Sequence, residues 1–325
     1  MARDVTPKLV IENGITEGNG EKYRLRLRGK GFAPSAPRMP RCAILRSQPL
    51  MRLRTALGLG FLVLAACGFL LAQAPFREYP ALEYENFPIP TDWNQKTEWT
   101  RARLRYPDIY GYPFVDLRMR DGKPFPGYWT MDYPRSDRHL MAGIRRLTRI
   151  ETRSVEQVVS LDGTGEVYNW PTLYAVEVGH WRLPDDQAAQ LREFLLRGGF
   201  LMVDDFHGTE EWNTFVASIR KVLPDRPIVE IPNSDAIFHT VYDLDERFQV
   251  PGAQYFETGK TYEHDGYQPR WRGIYDDKGR VMVAICHNMD LGDAWEWSDD
   301  ARYYEKWASL AYRIAVDYFV YDLTH

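Results

Sequence analysis

Three of the chain's seven histidines stand just beyond short apolar runs: His180 after residues 173–178 (LYAVEV), His207 after residues 200–203 (FLMV) and His287 after residues 281–286 (VMVAIC). Each has a small or acidic neighbour, in Gly179-His180-Trp181, Asp204-Asp205-Phe206-His207-Gly208 and His287-Asn288-Met289-Asp290-Leu291-Gly292-Asp293. If the runs are parallel strands, these are their carboxyl ends, where loops converge and ligands bind. Imidazole nitrogens and carboxylate oxygens gathered there can hold a divalent metal with one position open to water, the arrangement of metal-assisted hydrolysis. The expected metal ligands are His180, His207 and His287, and the expected catalytic set is His180, Asp205, His207 and Asp290. Consecutive strand residues face opposite ways, so only one of Asp204 and Asp205 can face the cleft, and Asp205, nearer the loop, is the one expected to. Asp290 or Asp293 would supply a second carboxylate.

A metal-free version is also open, with one carboxyl acting as general acid and another as base, and with Asp132 and Asp137 available for it. Trp181, Trp212, Trp295 and Trp297 with nearby Asp and Asn have the stacking and hydrogen-bonding character of a glycan cleft. The expected ligand-binding set is therefore Trp181, Asp132, Asp137, Asp293 and Trp295. Structural roles compete at every position. His180 can bond a loop carbonyl, His207 can orient the Asp204-Asp205 turn or cap the next helix, and His287 can be a satisfied imidazole. Asp290 and Asp293 fit ordinary Asx-turn chemistry, and the tryptophans fit a core.

The elements that would position these groups are strands and helices in alternation. Residues 97–106 alternate and are rich in Arg, which predicts a first strand, and Ser136 can cap a helix running to about residue 149 with Leu140, Ile144 and Leu147 on one face. Residues 173–178, a helix over 184–197 closed by Gly198-Gly199, and residues 200–203 predict strand, helix, strand. Thr209 caps a further helix with Glu210 and Glu211 in its first turn, and Pro224 follows its end. Residues 228–231 predict a strand, 271–275 and 280–285 a strand pair around Asp276-Asp277-Lys278-Gly279, and 303–321 a closing helix. The expected fold class is α/β, one domain over residues 99–325 built on a mostly parallel sheet with helices on both faces.

Residues 76–93, with their prolines and no regular period, predict an extended strap, placed at 75–98 in the domain scheme. Before it, residues 56–72 read ALGLGFLVLAACGFLLA directly after Met51-Arg52-Leu53-Arg54, the layout of an export signal. Three fates remain open for residues 51–74. They are cleavage after Ala72-Gln73-Ala74, which the following Pro75 disfavours; lipidation at Leu64-Ala65-Ala66-Cys67-Gly68; and retention as a membrane anchor. All three place the body outside the cytoplasm, with membrane contact only through the N-terminal segment. Residues 1–50 show no periodicity, and are expected to be either a disordered tail or sequence preceding a true start at Met51.

Residues 1–74 hold 12 Lys/Arg against 4 Asp/Glu, a net of +8, and the remainder holds 29 against 41, a net of −12. So acidic a body lacks the basic surface that phosphate binding needs, and a nucleic-acid partner is not expected. Of three cysteines, Cys42, Cys67 and Cys286, only the last lies in the body, which predicts no internal disulfide and a buried, inert thiol. No Gly-x-Ser-x-Gly elbow, phosphate loop, GxGxxG or HExxH occurs.

Trp129-x-x-Asp132-Tyr133-Pro134-x-x-Asp137, Gly198-Gly199-Phe200-Leu201-Met202-x-Asp204-Asp205-x-His207-Gly208, Phe238-His239-x-x-Tyr242 and the run from His287 through Glu296 together resemble bacterial proteins grouped as domain of unknown function 4159. The likeness covers about residues 101–325. It implies a fold similar to the class I glutamine amidotransferase-like, flavodoxin-like architecture and no particular activity. The nucleophilic Cys elbow of amidotransferases has no counterpart, since Cys286 ends an apolar run without flanking glycines. The expectation is an exported cell-envelope protein with a His/Asp-lined cleft, either a hydrolase acting on envelope glycan or peptide, or a non-catalytic ligand-binding or scaffold domain of a membrane-associated assembly.

Overall fold

The computed structural model describes residues 74–81, 84, 87–109, 118–120 and 123–325. The expected leader and tail, residues 1–73, lie outside the described residues. Among the described residues no helix is long and apolar enough to cross a membrane.

The chain forms an α/β domain. Its strands are β1 (Ala102–Arg105), β2 (Arg118–Arg120), β3 (Lys123–Phe125), β4 (Gln157–Ser160), β5 (Thr172–Val176), β6 (Phe200–Asp204), β7 (Val229–Glu230), β8 (Arg270–Tyr275) and β9 (Val281–His287). Its helices are α1 (Arg135–Leu147), α2 (Asp185–Leu196), α3 (Gly208–Val222), the single turn α4 (Tyr255–Thr258), α5 (Leu291–Glu296) and α6 (Glu305–Thr324). Seven strands make one sheet in the order β4-β1-β5-β6-β9-β8-β7, and β2 and β3 form a separate antiparallel pair. From β4 to β9 every pairing is parallel, while β8 runs antiparallel to both β9 and β7.

The central strands are apolar on both faces because both faces are covered. β5, β6 and β9 are buried at every residue. In β6, Phe200 and Met202 pack with Leu140 and Ile144 of α1 and Trp307, Leu310 and Ile314 of α6. Leu201 and Val203 face the other way, onto Leu191 of α2 and Phe215 and Ile219 of α3. That two-residue alternation divides the core into two layers with the sheet between them.

Several boundaries differ from the sequence-based expectation. The first strand contracts to four residues, and Leu147, expected on the buried face of α1, is 46% exposed at the helix end. The edge strand β4 had no visible signal, since QVVS is too short to show a period. The Arg-rich character of the first strand has a structural cause. Arg101 and Arg103 are fully buried and both pair with Asp137 of α1, Arg103 at 2.7 Å. Arg103 also donates from Nη1 to the Trp129 carbonyl at 2.9 Å and the Met131 carbonyl at 3.2 Å, fixing the segment that precedes α1.

The strap residues described carry no helix or strand between 74 and 90. Tyr79 stands edge-on to Trp129 at 5.6 Å, and Arg138 of α1 donates to the carbonyls of Phe87 at 2.9 Å and Pro88 at 3.0 Å.

Candidate functional site

A cavity of about 1150 Å³ opens beyond the carboxyl ends of β5 and β6, with Asp290 just past β9 also in its wall. This is the edge of a parallel sheet where ligands gather. Among the described residues twenty-two line it, ten of them Asp or Glu and none of them Lys or Arg.

Three deeply buried carboxylates of the lining are Asp132, Asp205 and Asp290, 4%, 7% and 3% exposed, beside Glu296 at 2%. One oxygen from each can be chosen so that all three lie within 4.8 Å of one another. Asp132 follows the segment held by Arg103. Asp205 is the first residue past β6, and its N–H donates to the Met289 carbonyl at 3.1 Å, which ties the ends of β6 and β9 together. Asp290 caps α5, accepting the Asp293 N–H at 2.7 Å. Two glycines clear the space around them. A Cβ on Gly292 would overlap the Asp132 carboxylate, and one on Gly252 would overlap that of Asp290.

Asp204 and Asp205 face different ways, Asp204 ending β6 and Asp205 standing just past it in left-handed backbone. Asp204 turns inward and accepts the N–H groups of Leu291 at 2.8 Å and Gly292 at 3.0 Å, with the Tyr174 hydroxyl at 3.3 Å. Asp205 lines the cavity. Left-handed backbone concentrates here. Asp132, Glu177, Asp205 and His264 all have φ between 49° and 59°, and all four line the cavity. Such a conformation costs a non-glycine residue of order 1 kcal/mol or more, and clusters of it mark functional sites.

Around the aspartates lies a second group. Glu177 follows β5, His180 ends the 3-10 turn Val178–His180, and Glu211 lies in the first turn of α3. Their ligand atoms fall within 4.8 Å of one another. His180 Nδ1 is 2.9 Å from Glu177 Oε2, and its ring stacks on Tyr128 at 3.9 Å and 6°. A third group joins Asp132 to Asp293 and Glu296 within the same limit. His207 is 4% exposed, with Nε2 3.2 Å from Asp205 Oδ1 and 3.8 Å from Glu263 Oε1.

The electrostatics follow from burial among like charges. Burial, then the charges of Glu177, Asp132 and Glu263, push Asp205 well above the usual carboxylate range. Burial, then Asp205, Asp293 and Asp132, do the same to Asp290. Glu263 is pushed up to about 7 by burial and then by Glu177 and Glu211. Burial takes His207 down to about 3, with His287 and His264 adding to the effect. His180 moves upward, because its hydrogen bond to Glu177 and that charge outweigh the opposing effect of burial. Among the described residues the lining offers these acids no Lys or Arg, and a cation in place would hold such carboxylates ionised.

Of the residues singled out from sequence, His180, Asp205, His207, Asp290, Asp132 and Asp293 all line this cavity. The three histidines do not meet at one ion. Among the described residues, no group close enough to share an ion contains His207 or His287. His287 is held by protein at both ring nitrogens, Nε2 at 3.1 Å from the Gly208 carbonyl and Nδ1 at 3.3 Å from Arg272 Nη1, with Phe206 and Trp212 each 4.8 Å from its ring. Asp137 lies under α1 with its two arginines. Trp181 is fully buried against Phe215, and Trp295 is fully buried beside Tyr174. Trp297 is the tryptophan that lines the cavity.

Sequence reasoning passed over Glu177, Glu211 and Glu263. Glu177 was hidden inside an apolar run, Glu211 looked like a helix-dipole residue, and Glu263 lies in the irregular section between residues 232 and 270. The one available signal was Glu177 itself, a carboxylate breaking LYAVEV at its carboxyl end.

The model of the family described as Domain of unknown function (DUF4159) matches residues 102–323. The chain belongs to the DUF4159 family. No curated protein matches it. The matched span of this DUF4159 chain includes every residue named above as lining the cavity.

Proposed function

We propose that this DUF4159 chain is an exported cell-envelope hydrolase whose cleft holds a hard divalent cation on Asp132, Asp205 and Asp290. The observation that carries the reading is the convergence of three buried carboxylates, oxygens within 4.8 Å, in a cavity whose described lining holds no Lys or Arg. An all-oxygen set suits Mg²⁺, Mn²⁺ or Ca²⁺ better than a thiophilic metal. The cation supplies Lewis-acid activation of water and of the scissile group. The protein's own residues orient and move protons. His207 beside Asp205 is placed to take a proton from water and to hand one on to the leaving group. Tyr128, stacked on His180, and Trp297 give the cavity flat apolar faces suited to a sugar ring or a peptide side chain.

The envelope location rests on the signal-like residues 51–74 and on the single, buried thiol of the described body. The five parallel strands, numbered along the chain, lie in the order 2-1-3-4-5, the flavodoxin-like order, which supports that architecture for the domain.

The test is turnover of cell-wall glycan and muropeptide fragments by the full chain, followed as new reducing ends and new amines. Chelator-sensitive release that Asp205→Asn abolishes supports the hydrolase. A folded, cation-loaded protein that releases neither from any fragment refutes it and leaves a ligand-binding domain.

A further inference from the structure

One divalent cation at Asp132, Asp205 and Asp290 leaves most of the cavity's charge unanswered. The wall beyond carries Glu177, Glu211 and Glu263 with His180 and His264. Glu211 accepts the His207 N–H, and its other oxygen is 3.3 Å from His264 Nε2, an imidazole 62% exposed. Burial and then the charge of Glu177 raise both Glu211 and Glu263, and among the described residues of this wall there is no Lys or Arg. An anionic or phosphorylated substrate would be repelled from such a wall, and a neutral one would leave it uncompensated.

A second observation stands apart from the acid count. His207 is 4% exposed and lines the cavity, and its Nδ1 has no hydrogen-bond partner in the structure. Its Nε2 faces Asp205 and Glu263, so the ring proton belongs there, and Nδ1 is left as a buried acceptor. Buried acceptors are ordinarily satisfied, and the missing partner must be a donor. Carboxylates and a bare imidazole nitrogen together ask for a group that is cationic and rich in N–H.

We infer that the substrate of this cleft presents an alkylammonium group, seated on Glu177, Glu211 and Glu263 next to the cation site. The inference rests on the hydrolase reading and names the substrate class for it: an amine-bearing peptide or amino sugar, recognised through its free amine. No bond is made or broken at this subsite. It holds the amine by charge-assisted hydrogen bonds while the reacting bond lies toward Asp205 and Asp290.

The experiment is calorimetry on the full chain loaded with Mn²⁺, titrated with Nα-acetyl-lysine amide and, separately, with its Nε-acetylated neutral counterpart. The ammonium probe is expected to bind saturably at millimolar concentration, more weakly as salt rises, and the neutral probe is expected not to bind. Glu263→Gln, whose carboxylate is partly exposed and can be replaced without a buried void, should weaken the ammonium probe on the order of tenfold. Mn²⁺ affinity should hold in that variant, and melting shows that it is folded. Equal binding of the two probes, binding of neither, or displacement of the ammonium by a second Mn²⁺ on Glu177, His180 and Glu211 would overturn the inference while leaving the first cation site standing. Failure of Mn²⁺ to bind, with the ammonium probe still bound, would sink the metal reading alone.

Discussion

Asp205 and Asp290, carried past the ends of the paired parallel strands β6 and β9, bring carboxylate oxygens within 4.8 Å of each other and of Asp132. Among the described residues of the cavity wall neither has an Arg or Lys neighbour; burial pushes both carboxyls well above the usual range, and the charge of Asp205 adds to the effect on Asp290. Asp137, equally buried, has two arginines. The domain therefore contains two kinds of buried carboxylate, one set against arginines and one set against other carboxylates.

Opposite responses to amide substitution should follow. Asp137→Asn strands the buried charges of Arg101 and Arg103 and is expected to cost about 3 kcal/mol or more of stability. Asp205→Asn and Asp290→Asn relieve repulsion and should leave the cation-free protein as stable as before or more so. Denaturant melts in chelator measure this, and a loss of stability in Asp205→Asn matching that of Asp137→Asn would mean that Asp205 is structural.

The pH dependence of stability separates the same groups. Asp204 and Glu263 are pushed up to about 7, with Asp205 and Asp290 also raised. An unfolded carboxylate loses its proton near pH ~4, so above that the native state binds more protons than the unfolded one and stability falls as pH rises. His207 and His287, held down to about 3 and about 4, act in the opposite sense, but only below the ordinary imidazole value near ~6.5. Between pH ~6.5 and ~8 the raised carboxylates act in the same direction as the upward-shifted His180 and His239, and the melting temperature in chelator should fall across that window. Excess Mn²⁺ should flatten or reverse the slope, because the cation displaces the protons. Identical slopes with and without Mn²⁺ would contradict the account.

Gly292→Ala tests the space reserved for Asp132. Its Cβ would overlap that carboxylate and also come 3.1 Å from the Tyr174 hydroxyl. Overpacking of this kind costs about 1–3 kcal/mol, and the displaced ligand should lower cation affinity with it. Calorimetry showing unchanged affinity in a folded Gly292→Ala protein would mean that Asp132 is not a ligand.

Cys286 is fully buried, and burial drives its thiol well above the ordinary range. It should resist thiol reagents in the native protein and react at once in denaturant. Rapid native labelling would contradict that reading.

The parts of this fold that were legible in sequence are those with long periods or sharp punctuation. Residues 184–222 show both, with Pro184 before α2, Gly198-Gly199 after it and Pro224 beyond α3, and the structure follows them to within about two residues, α3 starting at Gly208 with His207 and not Thr209 at its N-cap. Asp205 over Asp204 was readable from its place nearer the loop. The grouping of the histidines was not, because each strand end told of a nearby imidazole but not of its direction. His287, the last residue of β9, turns toward Gly208 and Arg272. Glu263 was invisible for a different reason: it reaches the cleft from an irregular segment whose path is set by tertiary contacts, such as Gln249 donating to the carbonyls of Gly266 and Asn288.

The central claim is that Asp132, Asp205 and Asp290 hold a hard divalent cation, and the most direct measurement is calorimetric titration of the full chain with Mn²⁺ beside Asp205→Asn and Asp290→Asn. The account predicts saturable binding to the parent chain and a loss on the order of 100-fold, about 2.7 kcal/mol, in each folded variant. A parent chain that binds no Mn²⁺, Mg²⁺ or Ca²⁺, or variants that bind as tightly as the parent, would contradict it.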